Sequence, residues 1–442
     1  MFISQLAGIG THVADTLITG HHSTADLAAV AVGGGLFVSV AMALVGVLHA
    51  AAPIIAHHVG AGHDEDIAPA FQQAVWMALF LALPGVLLLV LPGPLLALAE
   101  LDPQVEQKTR AYLLALACAL PGALLFRAFQ ALMNGIGAPR PVMVIMLVCV
   151  SVHVPLAWAL TTGAFGPALG ALGCGLSTLV VNWLSAALGV AYLVRSRRMT
   201  RINALSDWQA PRAWAQRELL RLGGPMGLSS FIGISSFTLI AIFVARLGAD
   251  AVAGHRIIAN LNGVCFMLPL ALGSGTMIKV GQAVGAHDAL RARLSALTGL
   301  AIAGATSTAA GIILWICRDY LPIIYSQDAA VQAIAASLMP LVVLFVVADS
   351  VQTLASFALR GFKITVAPML AHAACFWGFG VTSGYVLAFH GMPWTGLAAL
   401  SSPMGVSGFW LATLVSTALA GVLITLVLLV VLRSRTGTSA AN

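Results

Sequence analysis

Residues Pro340–Lys363 read PLVVLFVVADSVQTLASFALRGFK, an apolar stretch long enough to cross a bilayer as a helix. Asp349 lies in the middle of this stretch. A carboxylate at that depth costs roughly 2.5–3.5 kcal/mol to insert, so it faces protein or water and is functional by default. Helical spacing places four more polar residues on the same face, namely Gln352, Thr353, Ser356 and Arg360. The pattern predicts a membrane-spanning helix that carries a polar site.

The whole chain has the composition of an integral membrane protein. Of its 442 residues, 60% are hydrophobic and 8% are charged, whereas a soluble domain carries about 25% charge. The net charge of +6 does not indicate a nucleic-acid partner, because the basic residues lie mostly between apolar runs. The six cysteines are scattered singly, so we interpret them as packing residues, and we expect no cofactor.

The apolar runs predict an all-α protein with about twelve transmembrane helices. These spans lie near residues 1–18, 27–58, 68–97, 109–134, 141–162, 168–195, 218–246, 249–284, 289–316, 330–361, 364–390 and 407–432. The first span is short and begins abruptly at Met1, as it would if the natural start lay upstream. Basic residues concentrate in the loops after even-numbered spans. This asymmetry predicts a multi-pass protein of a bacterial inner membrane with both termini in the cytoplasm.

Two short matches indicate that the chain consists of two similar halves. The segment Gly60–Gly62 after the second span is echoed by Gly285-Ala286 after the eighth, and Ala131–Gly135 is echoed by Phe357–Gly361. Both offsets are about 225 residues, as in a parallel internal repeat. We therefore predict an N-terminal six-helix lobe at 1–195, an arginine-rich cytoplasmic linker at 196–217 and a C-terminal six-helix lobe at 218–442. Repeat-built transporters bind their substrates between the repeats.

The N-terminal half has its own carboxylate inside an apolar run, Asp15. Its nearest candidate hydrogen-bond partners are Thr16, His153 and Asn182. A protonated Asp15 could donate a hydrogen bond and let its helix pack or bend, whereas the ionised form would attract a cationic substrate. Proton and substrate would then compete for one site. His153 either relays protons, since imidazole titrates near neutral pH, or packs as a hydrogen-bonded histidine.

Each intramembrane carboxylate also has a structural interpretation. Asp15 could anchor its helix to neighbouring helices, and Asp349 could form an ion pair with Arg360 or Arg127. These alternatives stay open at the level of sequence.

Several segments, in order, resemble the multidrug and toxic compound extrusion (MATE) transporters, and most closely their NorM-type branch. The resemblance covers nearly the whole chain and rests on Ala14–Gly20, Ala25–Val32, Pro53 with Gly60–Gly62, Leu169–Gly175, Gly254-His255 with Asn260, Phe266–Pro269, Asp349–Gln352 and Ala358–Lys363. It implies two six-helix lobes that form a V-shaped cleft. It also implies cation-driven export of amphipathic, often cationic compounds.

The chain departs from the family pattern at two positions that bear on the coupling ion. Gly233 stands where many NorM-type proteins carry a glutamate in the seventh span, and His153 and Ala157 replace the usual asparagine pair around Pro155. The resemblance links that glutamate with sodium binding beside the tenth-span aspartate. A sodium ion prefers several oxygen ligands, which the C-terminal half could supply only in part, from Asp349, Asn260, Asn262, Ser235 and Ser236. A proton needs only one buried carboxylate, so we favour proton coupling, with sodium as the alternative.

Two other functions remain as alternatives. A lipid-linked precursor flippase would share the architecture but would line its cleft with more positive charge than Arg127, Arg256 and Lys279 provide. An integral-membrane enzyme would need clustered acidic or histidine residues at one membrane face. His57-His58 and His63–Asp66 resemble metal-ligand clusters, but we interpret His63–Asp66 as a solvated loop. We expect no enzyme activity, a monomer in contact with membrane lipids, and small amphipathic molecules as substrates.

Overall fold

The computed structural model describes residues 2–93, 96, 102–164, 166–196, 199, 202, 204–391 and 401–439. All regular structure in these ranges is helical. The first seven helices are α1 (Phe2–His22), α2 (Thr24–Leu48), α3 (Ala51–Ala61), α4 (Ile67–Val90), α5 (Pro103–Gly135), α6 (Arg140–Thr162) and α7 (Ala171–Arg195). The others are α8 (Ala213–Val244), α9 (Ala249–Gly285), α10 (Ala289–Ile316), α11 (Leu321–Tyr325), α12 (Ala329–Gly361), α13 (Val366–His372), α14 (Thr382–Phe389) and α15 (Val406–Ser439).

Ten helical stretches of the described chain are long and apolar enough to cross a membrane. Helices α2 and α3 form one of them, Thr24–Ala61. Helix α1 covers the predicted first span, and α13, a π-helical segment (Ala373–Val381) and α14 together cover the predicted eleventh span. The prediction of an all-α integral membrane protein is therefore confirmed.

The chain forms two compact units, Met1–Gly227 and Leu228–Asn442. They meet inside α8, beyond the predicted linker at 196–217. The described linker residues belong to the first unit, where two buried glutamines of α4 hold the linker main chain. The side chain of Gln72 donates to the carbonyl of Ser206 at 3.0 Å and accepts from the amide of Gln209 at 3.0 Å. Gln73 donates to the carbonyl of Ala210 at 3.0 Å. Three linker arginines, Arg197, Arg198 and Arg201, lie outside the described residues.

Glycines let helices of the first unit approach closely. A Cβ added at Gly46 of α2 would overlap the main chain of Gly227 in α8, and one at Gly223 would overlap the carbonyl group of Val47. Such small-residue contacts replace the hydrophobic driving force that helices lack inside lipid. The second unit has instead an aromatic core in which Phe345 and Trp410 are almost fully buried.

Candidate functional site

Asp15 and His153 form a buried pair in the first unit. Asp15 lies on α1 and His153 on α6, and the carboxylate Oδ1 is 2.8 Å from the imidazole Nε2. The side chains are only 8% and 3% exposed. The structure thus brings together two residues that the sequence separates by 138 positions. The hydrogen bond that the sequence suggested between them is present, and it is charge-assisted whenever the carboxylate is ionised.

Small polar groups and an apolar shell surround this pair. The thiol of Cys174 is buried beside the pair, and the Oγ1 of Thr161 lies 3.3 Å from its sulfur. Tyr112 and Ala157 belong to the adjoining buried cluster. These neighbours bring no formal positive charge, so the imidazole of His153 is the one described contact of the carboxylate that can become a cation.

The two other predicted partners of Asp15 have different positions. Thr16 follows Asp15 on α1 and is exposed. Asn182 is partly buried on α7 and donates its side-chain amide to the carbonyl of Thr178 in the same helix, at 2.8 Å. Thr19, which was not predicted, bonds the main-chain carbonyl of Asp15 at 2.7 Å. Of the three candidates, the structure pairs His153 with the carboxylate.

Asp26, at the start of α2, is a second buried carboxylate of the first unit, and sequence reasoning did not single it out. It is 1% exposed. Its carboxylate contacts the Nζ of Lys108 at 2.9 Å and the Nδ1 of His22 at 3.0 Å, and it accepts from the main-chain amide of Ala171 at 3.0 Å. Gly170 has φ +55, and an added Cβ there would overlap the carboxylate. Asp26 therefore joins the α1–α2 turn to α5 and to the positive N-terminal end of α7.

Asp349 is the centre of a polar network in the second unit. It lies in α12, is buried, and accepts from the Nε2 of Gln352 at 3.0 Å. The same Nε2 donates to Thr353 Oγ1 at 3.0 Å. The Oε1 of Gln352 lies 2.8 Å from the Nε2 of His372 in α13. His372 Nδ1 is in turn bonded to the hydroxyl of Ser229 in α8. The network therefore connects three helices.

The hydrogen-bond pattern fixes the proton positions along this network. Because the Oε1 of Gln352 can only accept, the Nε2 of His372 must carry a proton. In the neutral imidazole, Nδ1 then accepts from the hydroxyl of Ser229. With this amide orientation Asp349 accepts through Oδ1, as either a carboxylate oxygen or the carbonyl oxygen of the acid can.

The remaining residues of the polar face of α12 are buried but have other surroundings. The guanidinium of Arg360 lies 4.6 Å from the ring centroid of Phe357. Arg127, which lies on α5 of the first unit, donates to Gln130 at 2.8 Å. Within the described part of the second unit, Arg360 forms no ion pair with Asp349. The Oγ of Ser356 is buried and has no hydrogen-bond partner among the described residues. The alternative of an ion pair between Asp349 and Arg360 is thus not supported in the described residues of the second unit.

Of the four uncharged oxygen ligands considered for sodium, three are exposed or engaged elsewhere. Asn260 is exposed on α9, although Asn262 is buried. Ser235 accepts from the Nε1 of Trp377 at 3.0 Å, and Ser236 donates to the carbonyl of Ile232 at 2.6 Å. A Cβ added at Gly233 would have nothing within 4 Å.

Sequence reasoning missed His372 and Ser229, which complete the network of Asp349. His372 could have been recognised from the sequence, because an ionisable residue inside an apolar span is rare and indicates a functional site. The π-helical segment that begins directly after His372 is a feature often found at functional sites.

The described chain is all-α with many apolar spans, and each of its two units contains a buried polar network. These features define a polytopic membrane protein of the transporter class. The chain belongs to the MATE family, because the MatE family profile matches residues 1–159 and 225–386.

Relatives and solved structures agree with this assignment. The chain is 48% identical over 434 residues to a probable multidrug resistance protein NorM of Aromatoleum aromaticum, with 98% of this chain and 92% of the relative covered. It is 31% identical to the multidrug resistance protein NorM of Aliivibrio fischeri, with 99% and 94% covered.

Its fold resembles the eukaryotic MATE transporter AtDTX14, with a TM-score of 0.85, 20% identity, and 97% and 93% of the two chains covered. It also resembles the Vibrio cholerae MATE transporter VcmN in the bent form, with a TM-score of 0.84, 16% identity, and 98% and 95% covered. The resemblance to the NorM-type branch is therefore confirmed. Since the family consists of transporters, the prediction that the chain is not an enzyme is confirmed as well.

Proposed function

We propose that this chain is a secondary antiporter that exports amphipathic, often cationic compounds in exchange for protons by alternating access. The relatives named as multidrug resistance proteins support the substrate class. The buried contact between Asp15 and His153 is the observation that carries the proposed coupling. No feature of the described residues favours the flippase alternative over this function.

The Asp15–His153 pair can hold either a proton or a positive charge from a substrate. When the carboxylate is ionised and the imidazole neutral, the Nε2–H of His153 donates to Oδ1, and the pair carries one negative charge. A proton from water converts it to a neutral acid beside imidazole, or to a carboxylate beside imidazolium. Either form is neutral overall, so it no longer attracts a cation. Proton and substrate therefore displace each other, and their different affinities for two conformations drive transport.

The Asp349 network supplies the second polar element of the mechanism. Its carboxylate contacts an amide rather than an imidazole, and an amide does not readily carry a proton. If Asp349 takes up a proton, it becomes a donor, and the amide of Gln352 can rotate so that its oxygen faces the acid. That rotation would turn the NH2 group towards His372 and require its other tautomer. Protonation at Asp349 would thus reorder hydrogen bonds from α12 to α8.

The partners of both carboxylates favour a proton over sodium as the coupling ion. Asp15 faces an imidazole nitrogen, and Asp349 faces an amide nitrogen that donates to it. Sodium is a hard cation that binds to cages of oxygen ligands, and N–H donors repel it. Gly233 adds no carboxylate to the second unit.

The proposed setting is a bacterial inner membrane, with both termini in the cytoplasm, as the distribution of basic residues indicates. A monomer surrounded by lipid suffices for the mechanism, because each carboxylate finds its polar partners within the chain. The exported molecules reach the polar residues as amphipathic solutes, and no cofactor takes part.

Proteoliposomes with separately controlled gradients test the proposed coupling. Liposomes with an acidic lumen and no sodium should accumulate a cationic dye, because protons leaving the lumen drive dye inward. A potassium–valinomycin clamp holds the membrane potential constant. Protein-free liposomes give the passive leak. A requirement for a sodium gradient, with no response to the pH gradient, would overturn proton coupling. No gradient-driven dye movement under either condition would overturn the antiporter.

A further inference from the structure

We propose that His58, His63 and Asp66 form a binding site for a transition-metal ion such as Zn²⁺, at the turn between α3 and α4. His58 lies in the last turn of α3, and Asp66 ends a single 3₁₀ turn (Asp64–Asp66) that leads into α4. The sequence alone suggested a solvated loop at 63–66. The structure instead brings one ligand atom from each of the three side chains to within 4.8 Å of one another.

The separations between these atoms suit a shared ion better than direct contacts. The Oδ2 of Asp66 is 3.6 Å from the Nδ1 of His58 and 3.7 Å from the Nδ1 of His63. Hydrogen bonds between nitrogen and oxygen are shorter, about 2.7–3.2 Å. Two ligands that each lie about 2.0–2.2 Å from zinc in a tetrahedral site are about 3.4 Å apart. The two carboxylate–imidazole separations are therefore close to the spacing that coordination requires, and the two imidazole nitrogens lie within 4.8 Å of each other.

The main chain holds this arrangement in place. Gly62 adopts φ +74, the left-handed conformation that ends α3 and turns the chain back. The amide of His63 then bonds the carbonyl of His58 at 3.0 Å, and the amide of Asp66 bonds the carbonyl of His63 at 3.2 Å. These bonds fix the spacing of all three ligand residues independently of a metal. Binding therefore requires little ordering of the backbone.

The ligand set selects the class of ion. Two imidazole nitrogens and one carboxylate oxygen suit Zn²⁺ and its first-row neighbours, whereas Ca²⁺ and Mg²⁺ prefer oxygen ligands throughout. The side chains are 31%, 61% and 50% exposed for His58, His63 and Asp66, so an ion can enter from solvent and keep a water in the fourth position. The adjacent carboxylates of Asp64 and Glu65 add negative charge that attracts cations.

The second repeat provides a natural control. Its Gly285 corresponds to Gly60, an offset of 285 − 60 = 225 residues. At that offset His58 corresponds to Ala283 and Asp66 to Arg291, so both ligands are replaced. His287, next to this turn, is exposed, and the side chain of Asp288 instead accepts from the amide of Arg291 at 2.8 Å. The same turn in the second repeat thus lacks the ligand set.

Metal titration of the purified full-length protein, with any polyhistidine tag removed, tests the site. The wild type should bind one Zn²⁺ per chain in competition with a chromophoric chelator. His63→Asn and Asp66→Asn should each weaken binding at least tenfold, and His287→Asn should leave it unchanged. Co²⁺ in place of Zn²⁺ should give the visible absorption of a tetrahedral nitrogen–oxygen site in the wild type and in His287→Asn, but not in His63→Asn or Asp66→Asn.

Thermal unfolding gives a second readout. The three ligand residues lie on a surface turn, so their substitution should leave folding intact. Zn²⁺ should raise the unfolding temperature of the wild type and of His287→Asn, but not of His63→Asn. Two results would overturn the proposal: no saturable binding to the wild type, or binding that persists unchanged in both His63→Asn and Asp66→Asn.

Discussion

The two units hold their buried carboxylates in different ways. Asp15 contacts an imidazole directly, with 2.8 Å between the carboxylate oxygen and the Nε2 of His153. Asp349 contacts the amide of Gln352, and an imidazole follows only as the next member of the network. The first arrangement joins two titratable groups, whereas the second separates them by a group that does not titrate.

From this difference we infer different tasks for Asp15 and Asp349, two residues that look equivalent in the sequence. A carboxylate beside an imidazole can exchange its proton or its substrate charge in one step. A carboxylate beside an amide changes the orientation of a hydrogen-bond network when it is protonated. The comparison therefore predicts that the first unit determines coupling and the second adjusts its efficiency.

The largest expected effect comes from Asp15→Asn compared with Asp349→Asn. Asp15→Asn removes the titrating carboxylate of the direct pair, so dye accumulation driven by a pH gradient should fall to that of protein-free liposomes. Asp15→Glu should retain part of the activity. Asp349→Asn should lower transport on the order of tenfold, equivalent to about 1.4 kcal/mol. Glu106→Gln, which changes an exposed carboxylate of the first unit, is the control. Full transport by a well-expressed Asp15→Asn protein would contradict the comparison.

The next largest effect distinguishes the role of His153 from that of His372. Glutamine in place of His153 or His372 keeps a hydrogen-bond donor and acceptor but does not titrate. Substrate affinity of the wild type should fall as the pH is lowered, because protonation removes the negative charge of the Asp15–His153 pair. His153→Gln should alter that pH profile, and His372→Gln should leave its shape unchanged. The measurement is equilibrium dye binding in detergent across pH 5.5–8. Equal changes in both variants would remove the distinction between the units.

A smaller effect is expected when the second unit gains a carboxylate. The main chain at Gly233 has room for a side chain in Gly233→Glu, since nothing lies within 4 Å of an added Cβ. Position 233 follows Ser229 by one helical turn, on the side of α8 that reaches His372. A second carboxylate there should make transport respond to sodium, with a rise of about twofold, or about 0.4 kcal/mol. The matched control is Gly233→Gln, which has the same size without the charge. If sodium affected neither variant, the missing glutamate would not explain the ion preference.

The smallest effect on transport is expected for Ser229→Ala at the far end of the network. The change leaves the buried Nδ1 of His372 without its hydroxyl partner, which costs about 1–3 kcal/mol of stability. Thermal unfolding in detergent should therefore shift downward by a few degrees, while transport stays near that of the wild type. Ser235→Ala, which removes the partner of the exposed Trp377, controls for loss of a hydroxyl in the same helix. A loss of transport as large as that of Asp349→Asn would show that the network acts as one unit.

Many residues of the candidate site could be predicted from the sequence, but most of their hydrogen-bond and ion-pair partners could not. Asp15 and Asp349 stood out because an isolated carboxylate inside an apolar run is costly wherever its helix packs. The polar face of α12 followed from helical periodicity, and all its members are buried. Asp26 was not recognised, because its position near the end of a span resembles that of a solvated residue. Its partners Lys108 and Ala171 lie on α5 and α7.

By itself, the sequence determined the all-α class, the positions of the spans and the two intramembrane carboxylates. Each of these depends on hydropathy or periodicity summed over a local window, which needs no knowledge of neighbouring helices. Only the tertiary structure decided that Asp15 pairs with His153, that Gln352 reaches His372, and that His58, His63 and Asp66 converge. A hydrogen-bond partner depends on how two packed helices are rotated and shifted, and one residue along a helix changes its facing direction by about 100°. Turns such as the one at Gly62 also reverse the chain direction locally, and a hydropathy pattern does not show where they place the side chains.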